Sequence, residues 1–352
     1  MWQPFLGTLL AAYPLVGGPL YALAGLFGLR PACRTGRPDP WLGVFLAGSG
    51  LWALGQLDAG LGVAAGILGQ GLLGWLVLRA ARRLGPHPAY ALALAGVGLW
   101  AFWRYFEGPG PGYREQLWSF NPNGLGAWMA LGGGLSAFLG RPGWLGTLGF
   151  VGAGLGVWAS GSRTALFGWL TLGFLAFLLR LSRFWQRVGL VGFLLGLGVG
   201  VLGGGSLELG RFGTVLDRGY AGSQQRVEIW RQAWRAFREH PLSGVTSFPS
   251  YFQGHLTERA EALGMTEASH AHSLPLQALA EGGVLGGLGV LVWLGGAAWL
   301  LWRRRAWAGL ALMAGALALN LTDYTFFSAA VYYPLWAGIG WSLRDQPVRM
   351  PP

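Results

Sequence analysis

The sequence predicts an all-α, polytopic membrane protein, and three observations carry that expectation. Hydrophobic residues make up 53% of the 352 positions and charged residues only 11%, a balance foreign to soluble domains. Apolar runs of roughly 15–25 residues recur along the chain, long enough as helices to cross a hydrocarbon core of about 30 Å. Arginines cluster on alternate connections between those runs. Sheet alternatives fail: an open sheet leaves backbone groups unsatisfied in lipid, and the runs lack the alternation of an outer-membrane barrel.

In chain order, spans are expected at 4–15, 17–29, 41–57, 61–79, 89–106, 124–140, 144–160, 163–180, 188–205, 273–302, 306–322 and 326–343. The first two form a tight hairpin broken by Pro14, Gly17, Gly18 and Pro19 and are short for full crossings, so the count is 11–12. The connection 107–123 is rich in Gly, Pro and Asn and reads as a turn-rich flap over a cavity. Connection 160–163 is very short, and 206–271 is one large polar-leaning insertion in a single membrane domain, 1–352. Glycine, 63 residues, suits close helix approach in lipid. The run Gly198-Val-Gly-Val-Leu-Gly203 fits GxGxxG but lies inside an apolar span rather than after a strand, so it reads as glycine packing.

All 25 basic residues are Arg. Arg30, Arg34, Arg37, Arg79, Arg82, Arg83, Arg141, Arg180, Arg183, Arg187, Arg303, Arg304, Arg305, Arg344 and Arg349 fall on one side of these spans, against Asp39 and Asp345. The other side holds ten Arg and twelve acids. By the positive-inside rule the Arg-rich side, with the C-terminus, is cytoplasmic. The net charge of +11 thus splits into +13 inside and −2 outside, which marks topology and not a nucleic-acid partner. The 206–271 insertion is then extracytoplasmic, where cytoplasmic ATP and nucleotide sugars are absent. Cys33, the single cysteine, supplies neither a disulfide framework nor a Cys metal site. The N-terminus lacks a basic n-region, so no cleavable signal peptide is expected.

Within the insertion an amphipathic helix is expected from Gln224 to His240, stopped by Pro241. At 100° per residue, Val227, Trp230, Ala233, Trp234 and Phe237 share a face, with Arg231, Arg235 and Arg238 roughly opposite. Arg226 projects from the first turn on the side of Trp230, Ala233 and Phe237, where an isolated cation calls for an anionic partner or lipid headgroups. Ser160-Gly-Ser162-Arg163 opens the eighth span and has two readings: an anion site at a helix N-terminus with a bidentate Arg, or a capping Ser with an interfacial Arg. His270 and His272 are candidates for acid–base work; the alternative is that His270 to Ser273 simply caps the next helix. A zinc site is not expected, because histidines two apart do not share a helix face and no third ligand sits at motif spacing. Glu281 lies nine residues into the span after His272, roughly 13 Å along a straight helix, and reads as a buried hydrogen-bond anchor. Asp323 and Tyr324 sit at the outer end of the following span, able to line the same cavity or to form an interfacial turn.

Five segments in order resemble the bacterial O-antigen ligase and O-antigen polymerase family of membrane glycosyltransferases. They are Ser160-Gly-Ser162-Arg163-Thr-Ala, Gln225-Arg226-Val-Glu-Ile-Trp230-Arg-Gln-Ala233, His240-Pro-Leu-Ser-Gly244, His272-Ser273-Leu-Pro-Leu-Gln277-Ala-Leu-Ala-Glu281-Gly-Gly283-Val-Leu-Gly286, and Asn320-Leu-Thr-Asp323-Tyr324. The likeness covers roughly residues 140–345. It implies a GT-C-like fold and an inverting, metal-independent transferase in the bacterial cytoplasmic membrane, its site facing outward and needing no cofactor. The donor would be a glycan on polyprenyl (undecaprenyl) diphosphate, and the acceptor a glycolipid or another envelope component. Arg163 and Arg226 would bind the donor pyrophosphate, and His272 would take the acceptor proton, with the 206–271 insertion as a lid. A polymerase extending a second lipid-linked glycan uses the same donor; a flippase or transporter is a further alternative, although no internal repeat is evident. The chain departs from the family's pattern in Val245-Thr-Ser-Phe-Pro249 after Gly244, in Ser273 after the histidine, and in Asn320.

Overall fold

A computed structural model describes residues 2–27, 39–108, 114–116, 121–139, 143–179, 221–321 and 323–344. The expected span 188–205 with its Gly198–Gly203 run, residues 206–220 of the insertion, Cys33, and Arg30, Arg34, Arg37, Arg141, Arg180, Arg183, Arg187 and Arg349 lie outside these residues.

The described residues are helical and contain no strand, consistent with a membrane protein. Eight helices precede the insertion: α1 (Trp2–Ala12), α2 (Pro14–Phe27), α3 (Pro40–Gly55), α4 (Leu61–Leu84), α5 (Pro88–Phe106), α6 (Pro122–Leu139), α7 (Gly143–Ser160) and α8 (Arg163–Leu178). Then come α9 (Ala221–Glu239), α10 (Phe248–Gly254), α11 (Glu258–Ala262), α12 (Leu274–Arg303), α13 (Trp307–Leu321) and α14 (Ala329–Ser342). Several starts are written in the local sequence. Asp39 accepts the Trp41 N–H at 3.0 Å and His87 Nδ1 the Ala89 N–H at 3.2 Å, each before a proline at the first helical position. The α1–α2 hairpin turns at Tyr13, and Pro19 is carried inside α2 rather than breaking it.

Leu61–Leu84 and Leu274–Arg303 are long and apolar enough to cross a membrane by length and composition; Pro40–Gly55, Arg163–Leu178 and Trp307–Leu321 are apolar but shorter. Large side chains such as Leu291, Trp103 and Phe106 are exposed, the pattern of a surface that faces an apolar medium. Inside, Phe45 packs edge-on to Trp336 at 4.4 Å and to Trp293 at 5.7 Å, tying α3, α12 and α14 together. The helices share a polar end, where Arg344 Nη1 donates to Leu84 O at 3.0 Å and Asp39 lies within electrostatic reach of Arg79 and Arg304. At the opposite end α3 meets α12, where a Cβ on Gly55 would lie 2.4 Å from Gly282 O.

The expected straight span at 273–302 is not straight. Gly283 has φ 58 and ψ −150 inside α12, and a Cβ on Gly286 would lie 2.3 Å from Ala278 O. Residues eight apart in a continuous helix are about 12 Å apart, so segment 274–282 folds back against 284–303. The second half alone is about 30 Å long at 1.5 Å per residue. The reversal follows Glu281, which therefore sits at the end of the first half-helix, beside the apex of the fold-back.

The segment 241–245 crosses that apex backbone to backbone. Val284 N–H donates to Pro241 O at 2.8 Å and Val245 N–H to Ala280 O at 2.7 Å. A Cβ at Gly283 would lie 2.4 Å from the Leu242 backbone, and one at Gly244 (φ 69) 2.4 Å from that of Glu281. Beyond it, the insertion builds a small core of its own from Ile229, Ala233, Phe248, Phe252, Ala260 and Met265.

Gly283→Ala should lower stability by about 1–3 kcal/mol or more, since its backbone region is open to glycine alone and the added carbon meets main chain. A drop in the thermal midpoint in detergent checks this, against Gly66→Ala, where a Cβ meets nothing within 4 Å.

Candidate active site

A cavity of about 360 Å³ opens where α8, α9 and the loop before α12 converge. Arg114, Asn123, Ser162, Arg163, Arg226 and His272 contribute to its lining. Arg163 comes from the first residue of α8, whose cap is Ser162: the Ser162 hydroxyl accepts the Ala165 N–H at 3.3 Å. Ser160 is buried, donates to Val157 O at 2.7 Å and accepts the Ser162 N–H at 3.1 Å. These bonds fix a sharp turn through Gly161 (φ 57) that presents the α8 N-terminus to the cavity. Capping and a cavity-facing Arg thus occur together. Arg226 Nη1 donates to Thr164 Oγ1 at 3.4 Å, tying α9 to the same turn.

The amphipathic face of α9 differs from the expected one. Glu228, Ile229, Gln232, Ala233 and Ala236 are buried, while Val227 and Trp234 are exposed along with Arg231, Arg235 and Arg238. The α10 and α11 segments cover the first set, including the polar Glu228 and Gln232. Thr257 Oγ1 donates to Glu228 Oε1 at 2.9 Å and Gln232 Nε2 to His255 O at 3.2 Å. Arg226 lines the cavity, on the side of Trp230, whose Nε1 donates to His272 O at 3.4 Å.

His272 faces the cavity with φ 47. Its Nδ1 lies 3.3 Å from Asp323 Oδ1, which also accepts the Tyr324 N–H at 2.8 Å. His270 packs between the His272 ring, 4.2 Å away, and Tyr324, 5.5 Å away. Asp323, His270 and Tyr324 therefore stand behind His272. Ser273 takes the capping position of α12 without a side-chain capping bond, so simple capping does not account for the segment. Glu281 accepts the Phe248 N–H at 3.1 Å, anchoring the start of α10 rather than lining the cavity.

His270, His272 and Asp323 offer ligand atoms that all lie within 4.8 Å of one another. The sequence expectation of no third ligand overlooked Asp323, which only the tertiary fold brings in. His270 Nδ1 accepts the His272 N–H at 3.2 Å, and Asp323 Oδ1 serves two groups. Arg226 lies within electrostatic reach of His270 and Asp323, which works against a cation.

Arg114 was not singled out by the sequence. Its Nε donates to Ser160 O at 2.9 Å and one Nη to Asn123 Oδ1 at 2.6 Å, while Glu115 N–H donates to Ala159 O at 3.0 Å. The flap thus lays a third guanidinium against the cavity. No periodicity points a loop residue, so only its neighbourhood with a glycine- and proline-rich flap could have raised it.

Burial and neighbouring charges displace the titrations of His270 and Asp323. Burial first, then His272, push the His270 imidazole down to about 4, with Asp323 opposing and Arg226 adding to the fall. Burial works against ionisation of Asp323, yet the His272 hydrogen bond and charge, the Tyr324 N–H and Arg226 together hold its carboxyl below the ordinary value.

Among the described residues, an all-helical fold with exposed apolar side chains surrounds a cavity lined by Arg114, Arg163 and Arg226 beside a His–Asp pair, consistent with a membrane protein. Residues 148–291 are similar to the family model described as O-antigen ligase. The match takes in Arg163, Arg226 and His272 and ends before Asp323. No curated protein matches the chain.

A depressed His270 pKa favours the native state above the ordinary value near 6.5, and that contribution is lost as pH falls toward about 4. The thermal midpoint should therefore fall across this window, and less steeply in His270→Asn; parallel curves would contradict the assignment.

Proposed function

We propose that this protein is an O-antigen ligase-like glycosyltransferase of the bacterial cytoplasmic membrane, with a GT-C-like fold of 11–12 spans. It moves a preassembled glycan from a polyprenyl diphosphate, undecaprenyl being the expected carrier, to an acceptor hydroxyl on the outer face. The observation that supports this most directly is that Arg163, Arg226 and His272, distant in sequence, line one cavity.

The chemistry grows out of the parts. The acceptor oxygen attacks the anomeric carbon as the bond to the diphosphate oxygen breaks, and back-side attack inverts the centre. Polyprenyl diphosphate leaves with the bonding pair, and its growing charge meets Arg163, Arg226 and the α8 N-terminus in a partly desolvated pocket. Arg114 adds a third cation on the flap. Ionised Asp323 can only accept, so it holds the proton of His272 on Nδ1 and leaves Nε2 free to take the acceptor proton. In this reading guanidinium groups meet the leaving charge and no metal is required.

The same donor chemistry serves a polymerase, and the family resemblance spans both activities. In a deletion strain, loss of polymer from the acceptor with unchanged polymer on the carrier indicates a ligase; shortened chains on the carrier indicate a polymerase. Transport without transfer would place the protein in a different class.

Purified protein supplied with a lipid-diphosphate glycan and an acceptor tests the reading. His272→Ala should cut transfer by about 10²–10⁴-fold, and Arg163→Ala and Arg226→Ala by about 10²–10³-fold each. Arg235→Ala, whose side chain pairs with Glu239 at 2.8 Å on the exposed face, should transfer normally. Wild-type rates in His272→Ala would remove the base. A chelator that stops transfer would instead give the His270–His272–Asp323 cluster to a cation.

A further inference from the structure

His272 adopts a backbone conformation, φ 47, that L side chains rarely occupy. Something must hold it there, and three side chains from two directions engage the short stretch 270–272. Trp230 Nε1 donates to His272 O at 3.4 Å. His270 Nδ1 accepts the His272 N–H at 3.2 Å, closing the i to i+2 ring that an Asn or Asp side chain closes in an Asx-turn. Gln277 Oε1 accepts the Ala271 N–H at 2.6 Å.

Gln277 is itself buried, one turn before Glu281 on the folded-back half of α12. Glu281, which takes the Phe248 N–H, lies within electrostatic reach of the Gln277 side chain. The amide oxygen is turned toward Ala271. A low His270 pKa, about 4, leaves Nδ1 a lone pair to accept with at neutral pH.

We propose that Trp230, His270 and Gln277 are positioning residues that hold His272 in its left-handed conformation and aim its ring into the cavity. The inference rests on His272 being the base. It gives His270 a part as turn acceptor rather than as a second acid–base group. It also gives α9 two duties. Arg226 and Trp230 are one helical turn apart, so the helix that grips the diphosphate also holds the main chain of the base, and a shift of α9 on donor binding reaches His272 directly.

The test uses the purified full chain and steady-state transfer with a polyprenyl-diphosphate glycan. Trp230→Phe, Gln277→Met and His270→Leu each delete one bond while keeping bulk, and each should lower kcat about tenfold with donor KM little changed. His270→Asn, which keeps an acceptor at the turn, should recover most of the His270→Leu loss, and it keeps the test open where His270→Leu misfolds. Unchanged kcat in all three deletions, a rise in KM alone, or equal impairment in His270→Asn and His270→Leu would each overturn the proposal. His272→Ala run alongside separates the two failures: transfer by that variant overturns the base assignment itself, whereas an inactive His272→Ala with unaffected positioning variants overturns this inference alone.

Discussion

The structure depends on two backbones meeting without side chains between them, at Gly283 and Gly244. The fold-back of α12 needs a residue at φ 58, ψ −150, and the 241–245 segment then lies directly on the exposed apex. Two inter-segment backbone hydrogen bonds occupy groups that the broken helix would otherwise leave unpaired. From that crossing the half-helix 274–282 returns along its own second half, bringing the His270–His272 stretch beside the end of α13. A straight helix of the same residues would carry His272 far from Asp323.

Electrostatics give the resulting cavity its character. Three guanidinium groups, one from the flap, one from a helix N-terminus and one from the insertion, converge on about 360 Å³ of space. Such a concentration of cations, partly shielded from water, is unfavourable until an anion of matching geometry arrives. Asp323 is buried behind His272 and hydrogen-bonded there. It holds the His272 ring by its Nδ1 and also lies within electrostatic reach of Arg226.

The insertion joins the two halves of the site. Its small core of Ile229, Ala233, Phe248 and Phe252 makes the segment from α9 to α11 a body of its own, docked on the membrane helices through Gly244, the Phe248–Glu281 bond and the Arg226–Thr164 bond. Burial of Glu228 and Gln232 in α9 is intelligible on these terms. They hydrogen-bond to α11 and to the loop after α10, which a helical wheel drawn on α9 alone cannot know.

By itself, the sequence determined the features that local and periodic chemistry dictates. Helix positions came from apolar run length and helix starts from capping and proline, while Arg163, Arg226 and His272 stood out as polar groups with more than one reading, their roles implied only by the family resemblance. That is because a membrane forbids irregular backbone in lipid and makes every stray charge conspicuous. Tertiary structure alone decided the rest. Gly283 could be read as one more small residue in a glycine-rich helix; only the crossing chain shows that its φ reverses the segment just after Glu281. Arg114 sits in a loop without period, Asp323 is 51 residues from His272, and the buried face of α9 is set by partners folded onto it. Each depends on contact between segments remote in the chain, and such contact leaves no periodic trace in the residues that make it.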